Sequence, residues 1–194
     1  MTRIGIYRGC FSPPHKGHVV SACAFMEQME LDFLYVLPSA GAGEVSAEHR
    51  LHMARLAFFG IEGVYVSDME IGRGDKGSVL DTLRSLSGED KRLFLLCGTD
   101  TMLSLEDTAG VDELFRLCYP TYVRREKDPL LDALIVKKIA LYREKYGKVV
   151  RRIVTDPIEL SSQSLRDRLG NGAPLTGLVS PLVEKYIRDN HLYV

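Results

Sequence analysis

His15 and His18 stand three positions apart around Gly17, at the end of the stretch Gly9-Cys10-Phe11-Ser12-Pro13-Pro14-His15-Lys16-Gly17-His18. Two imidazoles can donate to the same anionic oxygens, and the free N–H groups at a helix start carry partial positive charge, so this pattern suits a polyphosphate. A plainer reading makes both histidines polar turn residues. Their pairing across a glycine, next to a turn with two prolines, favours a ligand loop instead. Zinc is a weaker reading, because no cysteine, aspartate or glutamate stands nearby at ligand spacing.

A second stretch, Leu160-Ser161-Ser162-Gln163-Ser164-Leu165-Arg166, clusters hydroxyls at a helix start and places an arginine one turn in. A guanidinium binds phosphate oxygens through two parallel N–H bonds and keeps its charge at neutral pH, which assigns Arg166 to the terminal phosphates. The alternative is an ordinary capped surface helix. In Gly98-Thr99-Asp100, the carboxylate is a candidate helix cap.

These groups need elements to hold them. Arg3 to Arg8 reads as a buried strand, and Gly9 with Pro13 and Pro14 forces a turn before an apolar helical run from Val19. Asp32 to Leu37 predicts a second strand ending at Pro38, and Ser46 caps a helix that runs to Phe59. Gly63 to Ser67 predicts a third strand. Gly72 to Gly77 reads as a mobile loop, and Ser78 to Leu86 as a helix with Val79, Leu83 and Leu86 inward. Arg92 to Cys97 is a nearly continuous apolar run, as a strand buried on both faces would be. Leu117 to Val123 is a further strand weakened by Pro120, followed by a helix over Pro129 to Tyr146, a strand over Val149 to Val154 and two short closing helices. Strands alternating with helices predict an α/β fold: a Rossmann-like, doubly wound, mostly parallel sheet with helices on both faces and ligand groups at its carboxyl edge.

With 194 residues, 45% apolar and 26% charged, the chain can bury one core and reads as a single domain over 1–194. Its part from about residue 155 supplies the second phosphate loop and the closing helices. A formal net charge of −1 gives no general affinity for nucleic acid or membrane. No apolar run approaches the ~20 residues that span a bilayer, and no signal-peptide pattern opens the chain, so a cytoplasmic location is expected. Cys10, Cys23, Cys97 and Cys118 show no paired spacing and read as reduced thiols.

The stretch from Gly9 to His18 resembles the signature of the nucleotidylyltransferase superfamily, glycine-x-phenylalanine-x-proline-x-histidine-x-glycine-histidine. Arg8 stands where glycine is usual, and Ser12 where aspartate or asparagine is usual. Leu160 to Arg166 resembles the family's second signature, with Gln163 in place of threonine. Gly98-Thr99-Asp100 resembles its glycine-x-aspartate. Arg50 and Met53, Asp81-Thr82-Leu83, Tyr122-Val123-Arg124-Arg125 and the tail Ser180 to Ile187 with Leu192-Tyr193 resemble the bacterial nicotinate-nucleotide adenylyltransferase branch. The tail would also suit an amphipathic helix packed on the sheet.

The resemblance implies the HxGH nucleotidylyltransferase fold and adenylyl transfer from ATP to nicotinate mononucleotide, with release of pyrophosphate. It implies that His15, His18 and Arg166 are catalytic, that Gly9, Cys10, Phe11, Gly17, Gly98, Asp100, Ser162 and Leu165 bind ATP, and that Thr82, Arg124 and Arg125 bind the acceptor. Mg²⁺ would be held through the ATP phosphates, with no metal ligand from the protein. Departures gather on the acceptor side. Pro38 to Glu44 lacks the usual proline-proline-histidine-lysine, Gly77-Ser78-Val79 replaces serine-tyrosine-threonine, and the chain has no tryptophan. A different phosphate acceptor such as phosphopantetheine, or an ATP-binding sensor without turnover, are the competing readings.

Overall fold

A computed structural model describes residues 1–41, 43–76, 78–124, 128–156 and 160–193, leaving aside the side chains of Asp75 and Lys76. The sheet contains β1 (Thr2–Gly9), β2 (Phe33–Pro38), β3 (Val64–Val66), β4 (Lys91–Gly98), β5 (Cys118–Val123) and β6 (Arg151–Ile153). Their order is β3-β2-β1-β4-β5-β6, and every pairing is parallel. The chain therefore reverses its direction of travel across the sheet between β1 and β4, which opens a crevice at the carboxyl ends of those two strands.

Period-two alternation sends each strand's side chains to two separate cores. Ile4, Ile6, Leu93, Leu95 and Cys97 join one cluster, whereas Tyr7, Leu34, Val36, Phe94 and Leu96 join the other. The first face is covered by α3 (Val79–Leu86), α4 (Thr99–Leu103), α5 (Val111–Leu117) and α6 (Pro129–Tyr146), which supply Leu83, Met102, Phe115 and Tyr142. On the second lie α1 (Lys16–Gln28), through Ala22 and Phe25, and the end of α2 (Ala47–Ala57), through Phe58.

A third cluster unites Met53 of α2 with Leu165 of α7 (Ser162–Gly170) and with Val183 and Ile187 of α8 (Pro181–Asp189). The closing helix therefore packs against α2 and α7, and not on the sheet, which is the plainer alternative for the tail. Periodicity shows that an apolar face exists; it does not name the surface that covers it.

Other expectations need correcting. Within Gly72 to Gly77, the part through Lys76 belongs to a 3-10 turn over Ile71–Lys76, bent at Gly74, whose φ of 65° and ψ of −166° suit only glycine; Gly77 lies outside the described residues. The stretch between β4 and β5 holds α4, α5 and a 3-10 turn at Leu105–Asp107, elements too short to leave a clear period. Pro120 is tolerated inside β5 because the ladder to β6 begins only at Thr121, so on that side the missing N–H has no partner to disappoint. Among the described residues, no helix is long and apolar enough to cross a membrane.

Candidate active site

The loop after β1 turns at Gly9, where an added Cβ would come within 3.0 Å of the Phe11 ring. Phe11 adopts φ of 50°, a conformation costly for an aromatic residue, by roughly 1–3 kcal/mol. Packing over-determines it: the buried ring lies 5.4 Å from Tyr7, 5.0 Å from His18 and 6.1 Å from Phe58.

His15 caps α1 with extended backbone, and His18 lies in its first turn. The His15 N–H donates to His18 Nδ1 at 3.1 Å, and the two rings lie 3.7 Å apart. A neutral imidazole that accepts at Nδ1 carries its proton on Nε2, so this hydrogen bond sets His18 up as an Nε2–H donor. Both rings are almost fully buried, at 1% and 7% exposure. Gly17 is buried between them in the first helical turn.

The second loop docks on the first. Ser162 Oγ donates to the Pro13 carbonyl at 2.9 Å, and Arg166 Nη1 to the Ser12 carbonyl at 2.7 Å. Arg166 Nε pairs with Glu44 at 2.8 Å, and Nη2 donates to Gln163, the residue standing where the resembled signature has threonine. Ser161 and Ser164 cap α7 reciprocally. Arg166, Cys10, Ser12, Gly43 and Glu44 border a cavity of about 350 Å³. Ser12 Oγ also meets Tyr193 Oη at 2.9 Å; burial pushes the Tyr193 hydroxyl up to about 12. Leu165 faces away from this cavity into the third cluster, fully buried.

Behind the loops lies Arg50, 1% exposed. It donates to the carbonyls of Cys10 (3.1 Å), Ser39 (2.7 Å), Gly41 (2.8 Å) and Val45 (3.3 Å), tying the histidine loop to the loop after β2. Sequence comparison marks Arg50 without giving it this task, because backbone carbonyls leave no residue-type signal.

A second cavity of about 350 Å³ opens at the β1–β4 crevice, bordered by Arg8, Gly9, Ser39, Val79, Cys97 and Gly98 among others. Gly98 caps α4; Asp100 is exposed in that helix's first turn and is not its cap. Thr82 is fully buried, with its hydroxyl donating to Glu70 at 3.3 Å and accepting from Arg73 at 3.1 Å. Arg124 turns to Asp132 and to the Asp128 carbonyl. Arg125 lies outside the described residues. The structure thus gathers His15, His18, Ser162 and Arg166 around one loop, whereas Thr82 and Arg124 stand apart from it on the α3 and α6 sides.

A cytidylyltransferase-like family model matches residues 6–168, which takes in both loops and the sheet from the second half of β1 to β6. The chain belongs to the cytidylyltransferase-like family. Within it, the chain is 32% identical over 198 residues to a probable nicotinate-nucleotide adenylyltransferase of Gemmatimonas aurantiaca, covering 98% of this chain and 92% of the relative. It is 33% identical over 207 residues to a protein of the same name from Pseudomonas paraeruginosa, covering 98% and 97%. The fold matches that of the Plasmodium falciparum nicotinic acid mononucleotide adenylyltransferase complexed with APC, with a TM-score of 0.79 at 16% identity over 100% of this chain and 98% of that one.

The docking of α7 on the histidine loop joins the two signature-like stretches, Gly9 to His18 and Leu160 to Arg166, into one surface. Glu44 and Gln163, which hold the Arg166 guanidinium, and Glu70, which holds Arg8, are the partners that sequence reading did not find.

Proposed function

We propose that this chain, as a single catalytic domain in the cytoplasm, transfers the adenylyl group of ATP to nicotinate mononucleotide, giving deamido-NAD and pyrophosphate. The observation that carries this reading is the convergence of His15, His18 and Arg166 on one loop at the carboxyl edge of the sheet, beside a nucleotide-sized crevice. The relatives named for that activity share nearly the full length of the chain.

An acceptor phosphate oxygen attacks the α-phosphorus, the bond from that phosphorus to the bridging oxygen breaks, and pyrophosphate leaves with its electron pair. No covalent link to the protein is needed. The protein's part is positioning and charge stabilisation. His18 Nε2–H and the His15 ring donate to the charge developing on the triphosphate, and Arg166, with Ser162 beside it, receives the departing pyrophosphate. Asp100 accepts from the ribose hydroxyls of ATP at the rim.

Mg²⁺ fits this surface as a passenger of the nucleotide. The loop groups, two imidazoles and a guanidinium, are mainly donors and would match phosphate oxygens of a nucleotide that carries the ion. When bound, the ion supplies charge neutralisation on the phosphates.

The test is pyrophosphate release from ATP with nicotinate mononucleotide, nicotinamide mononucleotide and phosphopantetheine as separate acceptors. Release with the first supports the proposal. Release only with phosphopantetheine, or none from a protein that still binds ATP, overturns it.

A further inference from the structure

Arg8 and Glu70 form a pair that the two phosphate loops do not use. Arg8 Nε donates to Glu70 Oε1 at 2.5 Å; the Glu70 side chain is 2% exposed and the Arg8 side chain 34%. Thr82 donates to the same Glu70 oxygen, and Arg73 reaches Thr82 and Ser85, so the carboxylate is fixed from several elements. Glu70 Oε2 is buried and finds no hydrogen-bond partner among the described residues. Such a carboxylate is costly to keep and is suited to holding a cation in one orientation.

Alternation along β1 decides which side of the sheet Arg8 serves. Ile4 and Ile6 enter the first core, Tyr7 the second, so Arg8 emerges on the face of Ile4 and Ile6. Phe11 packs into the opposite core, and His18 lies against it. Gly9 thus separates a phosphate surface on one side from Arg8 on the other. Arg8 borders the crevice cavity, whose walls include the apolar side chains of Val79, Leu95, Leu105 and Leu114.

A guanidinium has five donors, and Glu70 takes only the one at Nε. The terminal Nη pair keeps its fork, and no partner takes it among the described residues. Opposite apolar walls, that fork is matched to a planar carboxylate, which accepts two parallel N–H bonds; a primary amide offers one acceptor and opposes its own N–H donors to those of arginine.

We propose that Arg8, oriented by Glu70, is a specificity-determining residue that binds the ring carboxylate of the acceptor and selects acid over amide. This rests on the function proposed above. There, the acceptor's phosphate must lie on the histidine side to reach the α-phosphorus, which leaves the other end of the molecule for the Arg8 side. Arginine at this position, where the resembled signature has glycine, supplies a recognition element in a chain whose usual acceptor loops are altered.

The experiment compares kcat/KM for nicotinate and nicotinamide mononucleotides at saturating ATP in wild type, Arg8→Ala, Arg8→Lys and the double variant Arg8→Ala/Glu70→Gln. The double variant avoids stranding a buried charge, so it keeps the comparison valid if the single one fails to fold. The expected result is a fall of about tenfold to a hundredfold for the acid, chiefly in KM, with the amide little changed and partial recovery in Arg8→Lys. Equal losses with both acceptors would assign Arg8 to the phosphate or to the fold, and an unchanged acid-to-amide ratio would remove it from recognition; either overturns this proposal alone. A wild-type protein that uses neither pyridine mononucleotide overturns the function reading and this one with it.

Discussion

Arg166 donates through Nη1 to the carbonyl of Ser12 at 2.7 Å, across 154 positions of sequence. That single bond places the charge of α7 against the loop that carries both histidines. A guanidinium spread over the Ser12 carbonyl, Gln163 and Glu44 is held in one orientation, so under the proposed function little ordering would remain to oppose nucleotide binding. Arg166→Lys keeps the charge and loses the fork. The expected outcome is a rise in KM for ATP and a fall in kcat, together about 10- to 100-fold in kcat/KM, measured by coupled pyrophosphate release. Wild-type kinetics in this variant would detach Arg166 from the phosphates.

His18 has two tasks that substitutions can separate. Its Nδ1 accepts the His15 N–H at the start of α1, and its Nε2–H is the proposed donor to substrate. His18→Ala should cost about 1 kcal/mol of stability through the lost cap and slow turnover 100-fold or more. Glutamine at position 18 can restore the cap as the third helical residue, so His18→Gln should recover the urea midpoint without recovering the rate. Recovery of both would leave His18 a structural cap only.

Arg50 is predicted to matter more for stability than any exposed charge. Removing it strands the carbonyls of Cys10, Ser39, Gly41 and Val45 and opens a cavity behind the histidine loop. Arg50→Ala should lower unfolding free energy by about 3 kcal/mol or more, read by urea denaturation. Arg50→Lys, with its single nitrogen, should recover only part. A loss below about 0.5 kcal/mol would mean that the loops hold each other without it.

The four cysteines should divide by exposure. Cys10 and Cys23 are exposed free thiols, whereas Cys97 and Cys118 are buried. Ellman's reagent should therefore titrate two thiols in native protein and four after denaturation; four in the native state would contradict the burial. Burial also pushes the Cys97 thiol up to about 12 from an ordinary 9.0 and raises Cys118 well above its ordinary range. Below pH 9 these thiols are protonated whether the chain is folded or not. Above it, the unfolded chain loses protons that the folded chain retains, so stability falls as pH rises from 9 towards 12. Urea midpoints that stay flat across that window in wild type, or that fall no less in Cys97→Ala, would dismiss the buried thiol as a cause.

What the sequence by itself determined was local in character. The apolar run of β4, the turn at Gly9, the cap at Ser46 and the helix from Pro129 to Tyr146 each depend on neighbours within a few positions, and each is found where expected. Repeated strand–helix alternation was enough for a parallel sheet, since parallel neighbours need crossovers. Side-chain type and spacing were enough to single out His15, His18 and Arg166 as candidates for the proposed phosphate recognition, which calls for donors and fixed charge; the structure brings them to one loop. Only the tertiary structure decided that α8 packs on α2 and α7, that Arg50 reaches across 40 positions to Cys10, that Ser162 reaches across 149 to Pro13, and that Arg8 finds Glu70 across 62. The acceptors of Arg50 and Ser162 are backbone carbonyls, which every residue possesses, and Glu70 is one carboxylate among many. Nothing in residue type distinguishes such partners; distance does, and distance exists only once the chain has folded.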